Sequence, residues 1–139
     1  MTTTVRDLMT EDVRALPPNA TVAELLELMD RLRIRHVPVV EDGEIVGLVS
    51  HRDVVRGALG GLDQLPMSQR QQLLEQITIA EVMVEDPETI APDADLRQAA
   101  ELMLENKFGC LPVAEGSGLV GILTEADFVR HVLDLLDQE

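Results

Sequence analysis

The chain has 139 residues, 45% of them hydrophobic and 27% charged, which suits one ordinary globular domain with a real core rather than a disordered segment. A formal net charge of −15 repels a nucleic-acid backbone, and with two Phe, no Trp and no Tyr the chain has no stacking platform for single strands. No apolar run reaches the ~20 residues that span a bilayer. The opening MTTTVRDLMTEDV lacks the basic and apolar regions of a secretory leader, and one cysteine makes no internal disulfide. The expectation is a cytoplasmic protein with an aliphatic, Met-containing core.

In chain order, Val5–Met9 reads as a short helical turn and Val13–Leu16 as an extended segment ended by Pro17-Pro18. Thr21-Val-Ala-Glu24 is a capping-box start, with Val22, Leu25, Leu26, Met29 and Leu32 on one helical face. Arg31 and Arg33 fall at the end of that helix, where cations complement its dipole. His36–Val40 and Ile45–Val49 are short strands joined by a hairpin turn on Asp42-Gly43, and a helix follows from about Arg52 to Leu59, ended by Gly60-Gly61. Ser68-Gln-Arg-Gln71 caps a polar connector helix through about Gln76, read as a surface linker. Beyond it come a helix capped by Asp95, strands Leu111–Ala114 and Leu119–Leu123, and a final helix to about Leu136.

These elements repeat. A shift of 74 places lays Val5–Arg56 on Ile79–Arg130 without a gap, and about 16 of the 52 pairs are identical, among them Met9/Met83, Pro38/Pro112, Gly47/Gly121, Asp53/Asp127 and Arg56/Arg130. Two copies are too few for a solenoid, so the expectation is an α/β (α+β) protein built as a pseudo-twofold pair of copies packed face to face. The implied boundaries are 1–59 for the first repeat, 60–78 for a linker with a short connector helix, and 79–139 for the second repeat.

The element shared by both copies is Gly-x-x-Ser/Thr-x-x-Asp: Gly47, Ser50 and Asp53, then Gly121, Thr124 and Asp127. One reading is purely structural, since Ser50-x-x-Asp53 and Thr124-x-x-Asp127 are capping boxes where a helix has to start. The other is a nucleotide site. The glycine lets a ligand approach the strand, helix amides beside a hydroxyl suit a phosphate, and a carboxylate one turn on accepts two hydrogen bonds from a ribose diol.

Both copies resemble the cystathionine-β-synthase (CBS) domain, and the tandem resembles a CBS pair, or Bateman module. The resemblance rests on Val5-Arg-Asp-Leu-Met9, Val37-Pro38-Val39-Val40 and Gly47-Leu-Val-Ser50-His-Arg-Asp53, with Ile79-Ala-Glu-Val-Met83, Leu111-Pro112-Val113-Ala114 and Gly121-Ile-Leu-Thr124-Glu-Ala-Asp127 in the second copy. It implies two β-α-β-β-α units with clefts between them that bind adenosine-containing ligands such as AMP, ADP, ATP or S-adenosylmethionine. It assigns ribose to Asp53 and Asp127, and phosphate to Ser50 and Thr124. The base falls to Thr10, Val13 and Arg14 with Ile34–Val37 in one cleft, and to Val84, Pro87 and Glu88 with Phe108–Leu111 in the other. It also implies homodimers paired through helices, with the apolar faces near Val54–Leu59 and Phe128–Leu136 as candidates.

The two sites differ in charge. Of 11 Lys and Arg, seven lie in the first copy. Arg35-His36 before the strand becomes Gly109-Cys110, and His51-Arg52 beside Ser50 becomes Glu125-Ala126 beside Thr124. The Asp53 site is therefore the expected nucleotide site, and the Asp127 site is expected to take a less charged adenosyl ligand or none. Cys110 aligns with His36, but a Cys-His nucleophile needs an orienting group and an oxyanion site that the sequence does not supply, and the histidines lack the spacing of a metal site. The chain accordingly reads as a sensor and not an enzyme, with no obligatory cofactor, a small adenosyl ligand, a homodimeric state and an unnamed protein target as its partners. An interaction scaffold with empty clefts is the alternative.

Overall fold

The computed structural model describes residues 3–57 and 62–139. In chain order its elements are α1 (Val5–Leu8), α2 (Val22–Leu32), β1 (His36–Glu41), β2 (Glu44–Ser50), α3 (His51–Gly57) and α4 (Met67–Leu74). There follow β3 (Val84–Glu85), α5 (Leu96–Asn106), β4 (Cys110–Glu115), β5 (Gly118–Thr124) and α6 (Glu125–Asp137), with 3-10 turns at Leu62–Gln64 and Ile79–Glu81. The helical residues expected at Ala58 and Leu59, and the Gly60-Gly61 stop, lie outside the described residues.

The chain divides into two compact units, the first running from Arg14 to Pro87, the second combining the segment up to Val13 with Glu88–Glu139. In the first unit, Thr21 caps α2 as its sequence dictates: Glu24 N–H donates to Thr21 Oγ1 at 3.1 Å, and Thr21 N–H donates to the Glu24 carboxylate at 3.1 Å. The helix ends on Arg33, which takes a left-handed conformation at φ 57° and returns its N–H to the Met29 carbonyl. Val22, Leu25, Leu28 and Met29 of α2 pack with Val37 and Val39 of β1, Val49 of β2 and Val54 of α3. Asp42 and Gly43 both have positive φ, 53° and 81°, as a two-residue hairpin turn between right-twisted strands demands.

The connector departs from expectation. α4 starts at Met67 with Pro66 as its N-cap, two residues ahead of the expected Ser68 cap. Leu74 is buried in the first unit's core, with Leu62 and Ile77 packed against it, so the segment is not a surface linker throughout. Its few leucines and isoleucine are enough to tie it to α2, whereas its polar residues conceal that in sequence.

The second unit repeats the plan. α5 starts at Asp95, whose carboxylate accepts from Arg97 N–H at 2.9 Å, and ends on left-handed Lys107 at φ 58°, the counterpart of Arg33. β4 and β5 pair antiparallel, with an irregularity at Val113/Ala114 that matches the one at Val39/Val40 in β1. Met103, Leu111, Val113 and Leu123 form the core with Val5 and Met9 from the amino-terminal segment.

The leading segments are exchanged relative to the sequence repeats. Val5 N–H donates to the Ala94 carbonyl at 2.9 Å and Thr10 pairs antiparallel with Ile122, so the start of the first repeat completes the core of the second unit. Ile79 N–H donates to the Ala20 carbonyl at 2.8 Å and Val84 pairs with Leu48, so the start of the second repeat completes the first. Each segment carries its own turn and methionine, and each hairpin offers an open strand edge that such a segment satisfies.

Candidate functional site

In the first unit the turn from β2 to α3 builds a carboxylate held in a fixed pose. Ser50 N–H donates to Asp53 Oδ2 at 2.9 Å and Asp53 N–H donates to Ser50 Oγ at 3.1 Å. The capping reading is therefore geometrically correct, and it also orients the carboxylate. Asp53 Oδ1 accepts no hydrogen bond among the described residues and the side chain is half-buried, so one oxygen is left for a ligand. His36 pairs with Ser50 across the hairpin, and His51 N–H donates to the Arg35 carbonyl at 2.8 Å. This brings Arg35, His36, His51 and Arg52 to the same end of the hairpin as Ser50 and Asp53, with Arg35 and Arg52 exposed. Val37 is fully buried, and its side chain belongs to the core.

In the second unit the equivalent carboxylate is shut in. Asp127 is 4% exposed. Its Oδ2 accepts from Thr124 N–H at 2.8 Å and Thr124 Oγ1 at 3.2 Å. Its Oδ1 accepts from Thr10 Oγ1 at 3.2 Å and from the Arg130 guanidinium. Arg56 stands in the same place relative to Asp53, yet no ion pair joins them among the described residues. Neither Thr10 nor Arg130 was identifiable as an Asp127 partner from sequence. Thr10 is 117 residues away along the chain, and Arg130 has an identical twin in Arg56 that behaves differently.

Two expectations change. The resemblance places Thr10 with Ile34–Val37 and Val84 with Phe108–Leu111, but the segment exchange crosses them: Thr10 lies on Asp127 in the second unit, and Val84 lies on β2 in the first. Val13 goes with Thr10 into the second unit, while Arg14 and Pro87 belong to the first. Gly47 and Gly121 are not left open for a ligand. A Cβ on Gly121 would stand 2.7 Å from Met9 Sδ and 3.0 Å from the Thr10 carbonyl oxygen, and one on Gly47 would meet Met83 and stand 3.1 Å from the Val84 oxygen. Close approach is needed at both glycines, but by the exchanged segment.

Cys110 is buried opposite Thr124 at the head of β4, and Leu111 beside it is fully buried core. Burial, and secondarily the Asp127 charge, push the Cys110 thiol far above its ordinary range. The thiol therefore stays protonated and unreactive in the folded chain. Iodoacetamide at pH 8 should leave Cys110 unmodified in the native protein and alkylate it fully in denaturant, as read by mass spectrometry. Only the unfolded chain can ionise this group, so its linkage leaves stability intact below the ordinary thiol value of ~8.5 and erodes it as pH rises beyond. Among the described residues no three His, Cys, Asp or Glu side chains are grouped as metal ligands, and no helix is long and apolar enough to cross a membrane.

The fold and the paired strand-to-helix turns define a tandem repeat protein in which each unit presents one capped aspartate. The chain belongs to the CBS domain family, whose model matches residues 5–60 and 79–134. A solved structure of a putative acetoin utilization protein, AcuB, from Vibrio cholerae is similar at a TM-score of 0.84 and 35% identity, over 99% of this chain and 95% of that one. The structure of CBSX2 in complex with AMP is similar at a TM-score of 0.78 and 31% identity, over 95% of this chain and 97% of that one. An uncharacterized protein of Methanocaldococcus jannaschii is 31% identical over 127 residues, 91% of this chain. This chain spans 41% of that relative's length.

Proposed function

We propose that the chain is a regulatory module that senses adenosine-containing ligands, with the Asp53 site as its nucleotide site. The observation that carries this reading is the half-engaged carboxylate of Asp53, anchored through Oδ2 at the basic end of the β1–β2 hairpin. A diol can bridge such a carboxylate while Arg35, His51 and Arg52 meet phosphate. AMP in the similar CBSX2 structure supports the same ligand class. The first unit holds seven Lys and Arg against twelve Asp and Glu, the second only four against fourteen. Three of those four, Arg6, Arg97 and Arg130, already face Glu115, Glu101 and Asp127. The second site therefore suits an adenosyl group without polyphosphate.

The test is a melting series with AMP, ADP, ATP, S-adenosylmethionine and GTP, repeated with Asp53→Ala. A ligand at 100 times its dissociation constant adds about 2.7 kcal/mol of stability. No shift with any ligand at millimolar concentration would favour an interaction scaffold instead. The module acts by binding and carries no catalytic step. Its output passes to a protein target or a second copy, through the difference in affinity between two states.

The second copy has a specific surface to use. Val129, Val132, Leu133 and Leu136 form one stripe on α6, each at least half-exposed, whereas on the described part of α3 Val54 is wholly buried and Val55 is exposed. An isologous pairing of this stripe gives a homodimer. Val132→Glu with Leu136→Glu should convert a dimer to a monomer in multi-angle light scattering, because like charges would then face each other across the axis.

A further inference from the structure

The second site has a feature that a ribose-binding role does not by itself explain: its carboxylate is already saturated. A carboxylate offers about four acceptor positions. All four at Asp127 are taken, two on Oδ2 by Thr124 and two on Oδ1 by Thr10 and Arg130. Asp53 keeps its Oδ1 clear among the described residues, although Arg56 stands at the same helical spacing. The surroundings differ in the required sense. His51-Arg52 precede Asp53 where Glu125-Ala126 precede Asp127, so the first turn of α6 is the more acidic and draws Arg130 more strongly. The residue matching Thr10 is Val84, which has no hydroxyl to donate.

We infer that Arg130, seconded by Thr10, is an internal competitor for the ribose diol at Asp127, and so sets which ligands that site admits. This rests on the adenosyl-sensing reading above. A ligand enters by taking the Oδ1 positions from the guanidinium and the threonine hydroxyl, while the Thr124 bonds to Oδ2 persist. Arg130 is able to leave, because its side chain is 64% exposed and water takes up its charge, whereas Asp127 stays in place. The second site thus binds the same diol more weakly than the first, by the free energy of breaking one solvent-screened charged contact and one neutral hydrogen bond. The released guanidinium sits on α6, the helix that carries the exposed apolar stripe, so occupancy is reported on that helix.

The experiment uses the full chain with Asp53→Ala, so that calorimetric titration with adenosine reads the second site alone. Adding Arg130→Met should raise adenosine affinity about tenfold, and Thr10→Val about threefold, against net values of ~1 kcal/mol for ordinary and more for charged hydrogen bonds. Arg130→Lys should fall between parent and Arg130→Met. With 2′,3′-dideoxyadenosine the gain should vanish, because there is no diol to compete; a merely structural change would raise or lower both ligands alike. Unchanged or weaker adenosine binding in both Arg130→Met and Thr10→Val, while AMP still binds through Asp53 in the unsubstituted chain, overturns the competition and leaves the sensing reading standing. Absence of adenosine and AMP binding from every form overturns both. Should Arg130→Met fail to fold, Thr10→Val decides alone, since it removes a hydroxyl from an exposed residue.

Discussion

Gly121→Val should lower the stability of the chain by about 3 kcal/mol, the upper end of the cost of overpacking, and its melting temperature by about 10 °C. The position is buried, and the first atom of any side chain there would stand 2.7 Å from Met9 Sδ and 3.0 Å from the Thr10 carbonyl oxygen. The methionine has rotamers to spare. The carbonyl does not, because it accepts from Ile122 N–H at 3.0 Å, while Thr10 N–H donates back to Ile122 at 2.8 Å. Relief requires the amino-terminal segment to move off β5. That pulls Val5 and Met9 out of the core and Thr10 away from Asp127. Hydrogen exchange should show the amides of Val5, Met9 and Thr10 losing protection before those of β4. Protection equal to the parent's would mean that the segment is held by something other than its seat on Gly121.

Asp53→Ala should abolish the AMP-induced melting shift, a loss of at least about a hundredfold in affinity, because two hydrogen bonds to a charged acceptor contribute ~1.5–3 kcal/mol each. The same substitution removes the reciprocal cap with Ser50, at a cost of about 1 kcal/mol that appears without ligand. The two effects separate cleanly: the cap loss lowers the starting melting temperature, while the site loss flattens its dependence on AMP. Asp53→Asn retains an acceptor for Ser50 N–H and recovers part of the starting stability, but it replaces a charged diol acceptor with a half-donor. A full AMP shift in both variants would move the nucleotide site away from Asp53.

The single-copy features of this protein were legible in order along the chain. Thr21 and Glu24 state the start of α2, Asp42-Gly43 state the hairpin turn, and the period of 74 states that each is built twice. All three are local interactions, or repeats of them, so neighbouring residues contain the whole cause. The motif Gly-x-x-Ser/Thr-x-x-Asp was legible too, and both of its readings were needed, since the capping bonds of Ser50–Asp53 are what orient the carboxylate.

Tertiary structure decided which segment completes which core, and through that the character of the two sites. Val5–Val13 and Ile79–Pro87 share one pattern, with Met9/Met83, Glu11/Glu85 and Asp12/Asp86 identical, and either would satisfy either strand edge by pattern alone. Their exchange is a matter of long-range pairing, Thr10 with Ile122 and Val84 with Leu48, whose partners lie far apart in one case and not in the other. The glycines then acquire a different purpose, as seats for Met9 and Met83. Arg56 and Arg130 show the limit most clearly: identical residues at identical spacing from identical aspartates, yet among the described residues only Arg130 is paired with its aspartate. A side chain's choice of partner depends on every charge and hydroxyl that folding brings near it, and for Asp127 the deciding hydroxyl came from Thr10, 117 residues away.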